Sequence, residues 1–195
     1  MVSMLQDKNT YNKIIIKTLP LTLVATTAYA AVLVGVISLV AVCLSTVAVC
    51  LLKPLLNVKT ADFAKIIISV GIVGALTMIA SVYIKELSDS VSLYLPLISL
   101  TTVLLVSGEE TIQNTVSITF KYSFVIGAVS TGFLFVVGIL RELLGLGSFF
   151  GLDVYTKVFA PMEFFKNPAG ALFICAILTI IYNLFVSAAK KRGAK

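Results

Sequence analysis

The sequence predicts an all-α, polytopic membrane protein of about six transmembrane helices, arranged as two inverted three-helix repeats with an interrupted first helix in each. Three observations lead to this fold class. Of the 195 residues, 59% are apolar and 12% are charged, whereas soluble domains average about half apolar and a quarter charged. Uncharged windows of membrane-spanning length recur along the chain, and one Leu-Pro-Leu segment occurs twice.

The uncharged windows place the helices. Each is as long as the roughly 18 to 20 residues that a helix needs to cross about 30 Å of hydrocarbon. They cover residues 18–52, 66–84, 90–108, 122–140 and 167–189. The first would make a straight helix of about 52 Å, so it must be broken. Two features can break it, Pro20 and the stretch of small or weakly helical residues 26–31 followed by Gly35, and they predict two passes of about 18–34 and 35–52.

An internal repeat divides the chain. Leu19-Pro20-Leu21-Thr22-Leu23, followed by Thr26 and Thr27, recurs as Leu95-Pro96-Leu97-Ile98-Ser99-Leu100, followed by Thr101 and Thr102. Three predicted passes separate the copies, so the second copy is inverted relative to the first. We therefore expect one membrane domain, with an N-terminal segment 1–17, repeats at about 18–84 and 90–189, and a basic tail 190–195.

Interrupted helices in inverted repeats place irregular backbone near the membrane midplane, where a substrate, ion or electron carrier binds. The candidate midplane residues are Pro20, Thr26, Thr27, Pro96, Thr101 and Thr102. The alternative is that each Leu-Pro pair simply starts a helix, because proline is tolerated in a first turn.

Positive residues predict the orientation. With six passes, eleven Lys and Arg residues lie on the side of the termini, and only Lys85, Arg141, Lys157 and Lys166 lie opposite. Both termini are therefore expected in the cytoplasm, in a multi-pass protein of the bacterial cytoplasmic (inner) membrane. The net charge of +6 flanks the apolar spans, so we expect the lipid bilayer as a partner and no nucleic acid. The segment between Arg141 and Asn167 is expected at the outer membrane surface.

Several classes of site are excluded by what the chain lacks. It has no histidine, and its three cysteines, Cys43, Cys50 and Cys175, all lie inside apolar windows. A disulfide scaffold is therefore unfavourable. No phosphate-binding loop, dinucleotide fingerprint or zinc-ligand spacing occurs. We expect no catalytic residue and no metal site of its own in this chain.

Four segments carry a resemblance to a known family. Two of them resemble the two repeats of the paired membrane subunits of Rnf and Na⁺-translocating NADH:quinone oxidoreductase complexes. The first repeat is matched by Pro20-Leu21 through Thr26-Thr27 to Gly35. The second is matched by Leu95-Pro96-Leu97-Ile98, with Glu109 after it. Residues 141–151, Arg-Glu-Leu-Leu-Gly-Leu-Gly-Ser-Phe-Phe-Gly, and the segment 167–173 resemble the RnfE/NqrD branch.

The resemblance implies cofactors and partners. Two homologous subunits of opposite orientation, one of RnfE/NqrD type and one of RnfA/NqrE type, together hold a [2Fe–2S] cluster through cysteines in each repeat, and the complex contains FMN. In this chain the corresponding positions are Leu19 and Thr102, which cannot supply thiolates. We therefore expect no Fe–S cluster ligated by this chain, unless Cys43, Cys50 and Cys175 substitute.

Charged residues beside the spans have two interpretations each. Arg141 and Glu142 either anchor a helix at the interface or contact a partner subunit or an ion path. Glu109 and Glu110 form either a solvated loop or a cation entrance. Of all the charged residues, Lys121 is expected to lie deepest in the membrane. A lysine at a helix end can extend its charged group to the interface, which explains this position.

The resemblance predicts a membrane subunit of an Rnf/Nqr-type ion-translocating electron transport complex, either non-catalytic or electron-conducting. Two alternatives come from other classes. A small-molecule carrier, such as the vitamin-binding subunit of an energy-coupling transporter, has a similar size and helix number. A purely structural membrane subunit is the other.

Overall fold

The computed structural model of the chain describes residues 8–83, 87–149, 152–153 and 162–193, and these are almost entirely helical. In chain order the α-helices of this part are α1 (Lys8–Thr22), α2 (Ala28–Leu51), α3 (Val58–Tyr83), α4 (Leu87–Leu105), α5 (Gly108–Gln113), α6 (Val116–Leu146) and α7 (Pro168–Gly193). Two 3₁₀ turns, Lys53–Leu55 and Glu163–Lys166, and a two-residue antiparallel pair, Ser148–Phe149 with Leu152–Asp153, connect them. The predicted all-α class is confirmed.

Four of the described helices are long and apolar enough to cross a membrane by themselves. They are α2, α6, residues 59–80 of α3 and residues 168–185 of α7. The 15 residues of α1 span only about 22 Å, and the apolar part of α4 is the short stretch Pro96–Leu105. The protein is therefore polytopic, with α1 and α4 as the shortened first helices of the two repeats.

The two halves are inverted. Helices α1, α2 and α3 correspond to α4, α6 and α7, and α2 packs closely against α6. Ala31 lies beside Gly138, and Gly35 lies beside Thr131, whose hydroxyl donates to the Gly35 carbonyl oxygen at 3.0 Å. Residue numbers rise along α2 as they fall along α6, so these corresponding helices are antiparallel, as an inverted repeat requires.

The apolar core extends across both halves. Its largest cluster combines side chains of α1, α2, α3, α4 and α6, namely Leu21, Val34, Val73, Ile98 and Leu134 among others. A second cluster joins Ile14 of α1 to Leu105 of α4. Leu21 shares the first cluster with Ile98, and Ile14 shares the second with Leu105, so residue numbers rise along α1 as they fall along α4 and these helices are also antiparallel. The repeats therefore fold around a shared core.

The boundary between the first two passes differs from the sequence prediction. Helix α1 begins at Lys8 and ends at Thr22, and α2 runs unbroken from Ala28 through Gly35 to Leu51, so passes at 18–34 and 35–52 are wrong. The interruption lies at residues 23–27, since the Thr27 hydroxyl caps the new helix by accepting from the Ala30 amide at 3.1 Å. Gly35 is a point of close helix packing and not a break.

The Leu-Pro pairs do not start helices. Pro20 lies in the last turn of α1, and Pro96 lies inside α4. The alternative interpretation of these pairs as helix starts is therefore wrong. Helix α6 also continues through Arg141 to Leu146, further than predicted. About half of the surface segment that follows, residues 150–151 and 154–161, lies outside the described residues.

Candidate functional site

The chain is interrupted at two places that we name the first break, residues 23–27 between α1 and α2, and the second break, residues 106–107 between α4 and α5. A helix end leaves backbone groups without intrahelical partners, carbonyls at its C-terminus and amides at its N-terminus. Each break therefore brings unsatisfied carbonyls and amides into an apolar protein. At each break a buried cation binds carbonyl oxygens and a carboxylate binds one amide.

Arg141 of α6 binds the carbonyls of the first break. Its Nη1 donates to the carbonyl oxygens of Ala25 at 3.0 Å, Leu23 at 3.3 Å and Thr22 at 3.4 Å. Its Nε and Nη2 donate to the carbonyl oxygens of Phe165 at 3.0 Å and Lys166 at 2.8 Å. The planar fork of arginine suits five carbonyls in different directions. A positive charge also stabilises the negative end of the α1 dipole.

Glu142, the next residue, binds the other side of the same break. Its Oε2 accepts a hydrogen bond from the Ala28 amide at 2.8 Å, at the N-terminus of α2. Its Oε1 accepts from the Ser148 hydroxyl at 3.3 Å. An anion stabilises the positive end of a helix dipole. Consecutive residues of α6 therefore hold the end of one helix and the start of the next.

The predicted interfacial anchoring by Arg141 and Glu142 is wrong. Each is only 2% exposed, and each binds backbone of its own chain, whereas an interfacial anchor reaches the lipid headgroups. Their involvement in a partner contact or an ion path stays a prediction. Adjacent side chains on a helix point in different directions, and here they reach different groups of the same break.

The second break is held in the same way by α3. Lys65 is fully buried, and its Nζ donates to the Val106 carbonyl oxygen at 2.5 Å and to the hydroxyls of Thr46 and Thr111, both at 3.2 Å. Asp62 Oδ1 accepts from the Gly108 amide at 2.6 Å, at the start of α5. A cation thus meets the carbonyl end and an anion meets the amide end.

Each repeat therefore holds the break of the other. Arg141 and Glu142 lie in the second repeat and bind the first break, whereas Lys65 and Asp62 lie in the first repeat and bind the second break. Along α2, 18 residues separate Ala28 at the first break from Thr46 at the second. At the helical rise this is about 27 Å, so the two breaks lie near opposite ends of the bundle.

Sequence reasoning missed Lys65 and Asp62. The sequence analysis counts Lys65 only among the orientation signals, whereas the structure shows its side chain 0% exposed. The available signal was the Asp62-x-x-Lys65 spacing, which places an acid and a base on one face of a helix. Nothing local in the sequence shows which distant backbone groups they bind.

The predicted midplane threonines of the first repeat lie in the first break, whereas those of the second repeat lie within α4. Thr26 is exposed in the first break, and Thr27 caps α2. Thr101 and Thr102 are buried within α4 and donate to the carbonyl oxygens of Leu97 at 2.8 Å and Ser99 at 2.6 Å. Their depth in the bilayer stays a prediction. Glu109 belongs to α5, and its side chain is outside the described part of the structure.

The residues at the expected cluster positions do not fit an iron–sulfur centre, for which four thiolates are the usual ligands. Leu19 packs against an apolar cluster that contains Cys175 of α7, and Thr102 has no thiol. Cys43 and Cys50 are buried on α2, about 10 Å apart along the helix. Among the described residues, no three His, Cys, Asp or Glu side chains are grouped to hold a metal ion.

Two substitutions at Glu142 separate its hydrogen bond from its charge. Glu142→Gln retains an oxygen that accepts from the Ala28 amide, so we expect a loss of unfolding free energy of about 1 kcal/mol. Glu142→Ala leaves that buried amide without its acceptor and is expected to cost about 1–3 kcal/mol. Thermal unfolding of the purified variants in mild detergent measures both. Equal losses for the two variants would contradict the role of the hydrogen bond.

The comparisons with known proteins agree with this architecture. A family model described as Rnf-Nqr subunit, membrane protein, matches residues 1–179. The chain is also similar to the RnfE component of the Na(+)-translocating ferredoxin:NAD(+) oxidoreductase complex of Acetobacterium woodii, with 28% identity over 143 residues, which is 71% of each chain. Because the family model covers most of the sequence and the helices have the expected membrane-spanning character, the chain belongs to the Rnf-Nqr family of membrane subunits.

Proposed function

We propose that this chain is a membrane subunit of an Rnf/Nqr-type ion-translocating electron transport complex, corresponding to RnfE, with both termini in the cytoplasm of a bacterium. The observation that carries the proposal is the family match over residues 1–179. The Acetobacterium woodii relative, an RnfE protein of a Na(+)-translocating ferredoxin:NAD(+) oxidoreductase complex, supports the assignment to a branch. The excess of Lys and Arg on the side of the termini supports the orientation.

Within such a complex, this chain acts as a scaffold and ligates no iron–sulfur cluster. Leu19 and Thr102 at the expected ligand positions support this part of the proposal, since neither carries a thiol. The Leu19 side chain packs in an apolar cluster, and the Thr102 hydroxyl donates to a carbonyl of its own helix. The [2Fe–2S] cluster and FMN of the complex are then held by other subunits.

The expected partner is a homologous subunit of opposite orientation, of RnfA/NqrE type. Helices α3 and α7 support such a partner, because large apolar side chains on both remain highly exposed, including Phe63, Ile67, Met78, Leu184 and Phe185. In a membrane, lipid and a neighbouring subunit share such surfaces. Further Rnf/Nqr-like subunits complete the proposed assembly.

Replacing all three cysteines tests the proposed absence of cluster ligands. In the purified complex, the Cys43→Ala, Cys50→Ala, Cys175→Ala triple variant is expected to retain the full [2Fe–2S] electron paramagnetic resonance signal per complex and the same iron content. The reason is that the thiols lie on two helices, α2 and α7, and form no ligand group there. Loss of the signal in an intact, flavin-loaded complex would show that these cysteines ligate the cluster.

A pull-down of the tagged protein in mild detergent tests the function itself. Mass spectrometry of the co-purifying proteins is combined with flavin and iron assays on the same sample. Flavin-bearing redox subunits and a homologous membrane subunit are the expected partners. Co-purification with an ATPase module and a bound vitamin would overturn the proposal in favour of the carrier, and purification without redox partners would favour a purely structural subunit.

A further inference from the structure

Three oxygen atoms, from α2, from α5 and from the second break itself, lie around the Lys65 ammonium group. They are the Val106 carbonyl oxygen at 2.5 Å, Thr46 Oγ1 of α2 at 3.2 Å and Thr111 Oγ1 of α5 at 3.2 Å. All four residues are fully buried. We name these three oxygens the oxygen cage. A lysine ammonium has three N–H donors, so the cage uses all of them.

The two hydroxyls are oriented to accept. Thr46 Oγ1 donates its hydrogen to the Val42 carbonyl oxygen at 2.5 Å, and Thr111 Oγ1 donates to the Ser107 carbonyl oxygen at 2.8 Å. Their lone pairs are then the groups directed at Lys65. The cage therefore presents three acceptors and no donor to this position, as expected of a site for a positive charge.

The groups around this point act on a positive charge in both directions. Burial disfavours a charge at the position of Lys65 Nζ most strongly, and the Lys17 ammonium also opposes it, whereas the carboxylates of Glu110 and Asp62 attract it. The Val106 carbonyl follows the C-terminus of α4, where a helix dipole is negative and attracts a cation. Carbonyls at helix ends within broken membrane helices are the kind of ligand that coordinates Na⁺.

We propose that the oxygen cage is a binding site for a monovalent cation and that the chain fills it with its own Lys65 ammonium group. The first break has no such compact site, because Arg141 spreads over five carbonyls that lie in two separate segments. One consequence rests on the proposed function, namely that the ion moved by the complex does not pass through the second break. The cage itself does not depend on that function.

The test removes the tethered cation and supplies a free one. Lys65→Ala deletes the equivalent of n-propylammonium, and the full-length variant is purified in mild detergent. Its unfolding midpoint is expected to lie below that of the wild type. Na⁺, K⁺ or n-propylammonium should raise it saturably by about 3–6 °C at ten times the dissociation constant. Choline at equal ionic strength should not raise the midpoint of the variant. The midpoint of the wild type should change by the same amount with each of these salts.

Removing the cage supplies the matched control. In the Lys65→Ala background, Thr46→Val and Thr111→Val delete two of the three oxygens at nearly constant volume, and the cation-specific shift should disappear. If Lys65→Ala does not fold, Lys65→Met replaces it, because methionine preserves the apolar stem of the side chain. The same shift of the unfolding midpoint is then measured with Na⁺ and K⁺. A response to Na⁺ no larger than that to choline, or a shift that survives loss of both hydroxyls, would overturn the proposal.

Discussion

Replacement of Arg141 by methionine is expected to remove about 3–5 kcal/mol of unfolding free energy and to prevent accumulation of the folded protein. Methionine fills a similar volume but has no donor, so the five carbonyl oxygens at the first break and the Phe165–Lys166 turn lose this partner. Unsatisfied buried polar groups cost about 1–3 kcal/mol each when they cannot relax. Loss of one member of a charged network in the interior is comparably costly.

Arg141→Lys distinguishes charge from geometry. A lysine preserves the positive charge near the C-terminus of α1, but its single nitrogen cannot occupy the three separate positions of Nε, Nη1 and Nη2. We therefore expect Arg141→Lys to lose unfolding free energy, but less than Arg141→Met loses. The measurements are the fraction that elutes as a single species from size exclusion in detergent and the thermal midpoint of that fraction.

A control on the same helix separates this effect from a general loss of positive charge. Lys121 is exposed on α6, so Lys121→Met removes an equal charge without emptying a hydrogen-bonding site, and we expect a change within about 0.5 kcal/mol. If Arg141→Met and Lys121→Met gave the same yield and midpoint, Arg141 would not hold the first break.

The second large effect is expected for Gly138→Ala, at the closest packing of α2 and α6. A Cβ at this position would lie 2.5 Å from the Ala31 Cβ and 3.0 Å from the Thr27 carbonyl oxygen. The two helices must then separate beside the Thr27 cap and the Glu142 contact. Overpacking of this kind costs about 1–3 kcal/mol. A lowered thermal midpoint in detergent would show the effect.

Gly132→Ala is the matched control, because it makes the same change on the same helix. Nothing lies within 4 Å of a Cβ at Gly132, so the gain in helix propensity, about 0.5–1 kcal/mol, should leave the variant equal to or slightly more stable than the wild type. Ala31→Gly should partly rescue Gly138→Ala by removing the opposing methyl group. Equal midpoints for the two single alanine variants, or no rescue, would contradict the close packing.

Much of the fold follows from local properties of the sequence. Uncharged windows place α3, α6 and α7 because a helix in a bilayer needs a continuous apolar stretch of fixed length. The excess length of the window 18–52 requires a break, and the structure has it at residues 23–27. The duplicated Leu-Pro-Leu segment predicts two halves of opposite direction, and the antiparallel packing of α2 on α6 agrees with this prediction.

The candidate site could be predicted only in part. The family resemblance identifies Leu19 and Thr102 as the positions of the cluster ligands, because its motifs lie at fixed positions in the chain. The sequence also identifies Arg141 and Glu142, but of its two interpretations of them, interfacial anchoring is wrong. A charge at the edge of an apolar window has the same sequence pattern whether it faces the interface or the protein interior.

Composition and short-range patterns are enough to predict the membrane class, the approximate helices, the inverted halves and the missing thiols, since each depends on residues close together in the chain or on composition. Which charges are buried, and which groups they bind, depends on the folded arrangement of the helices. Arg141 binds a carbonyl 116 residues away, Glu142 an amide 114 residues away, and Lys65 a carbonyl 41 residues away. Such contacts depend on how α3 and α6 cross the other half of the bundle, and the physical reason for them is the need of broken helices for charged partners where water is excluded.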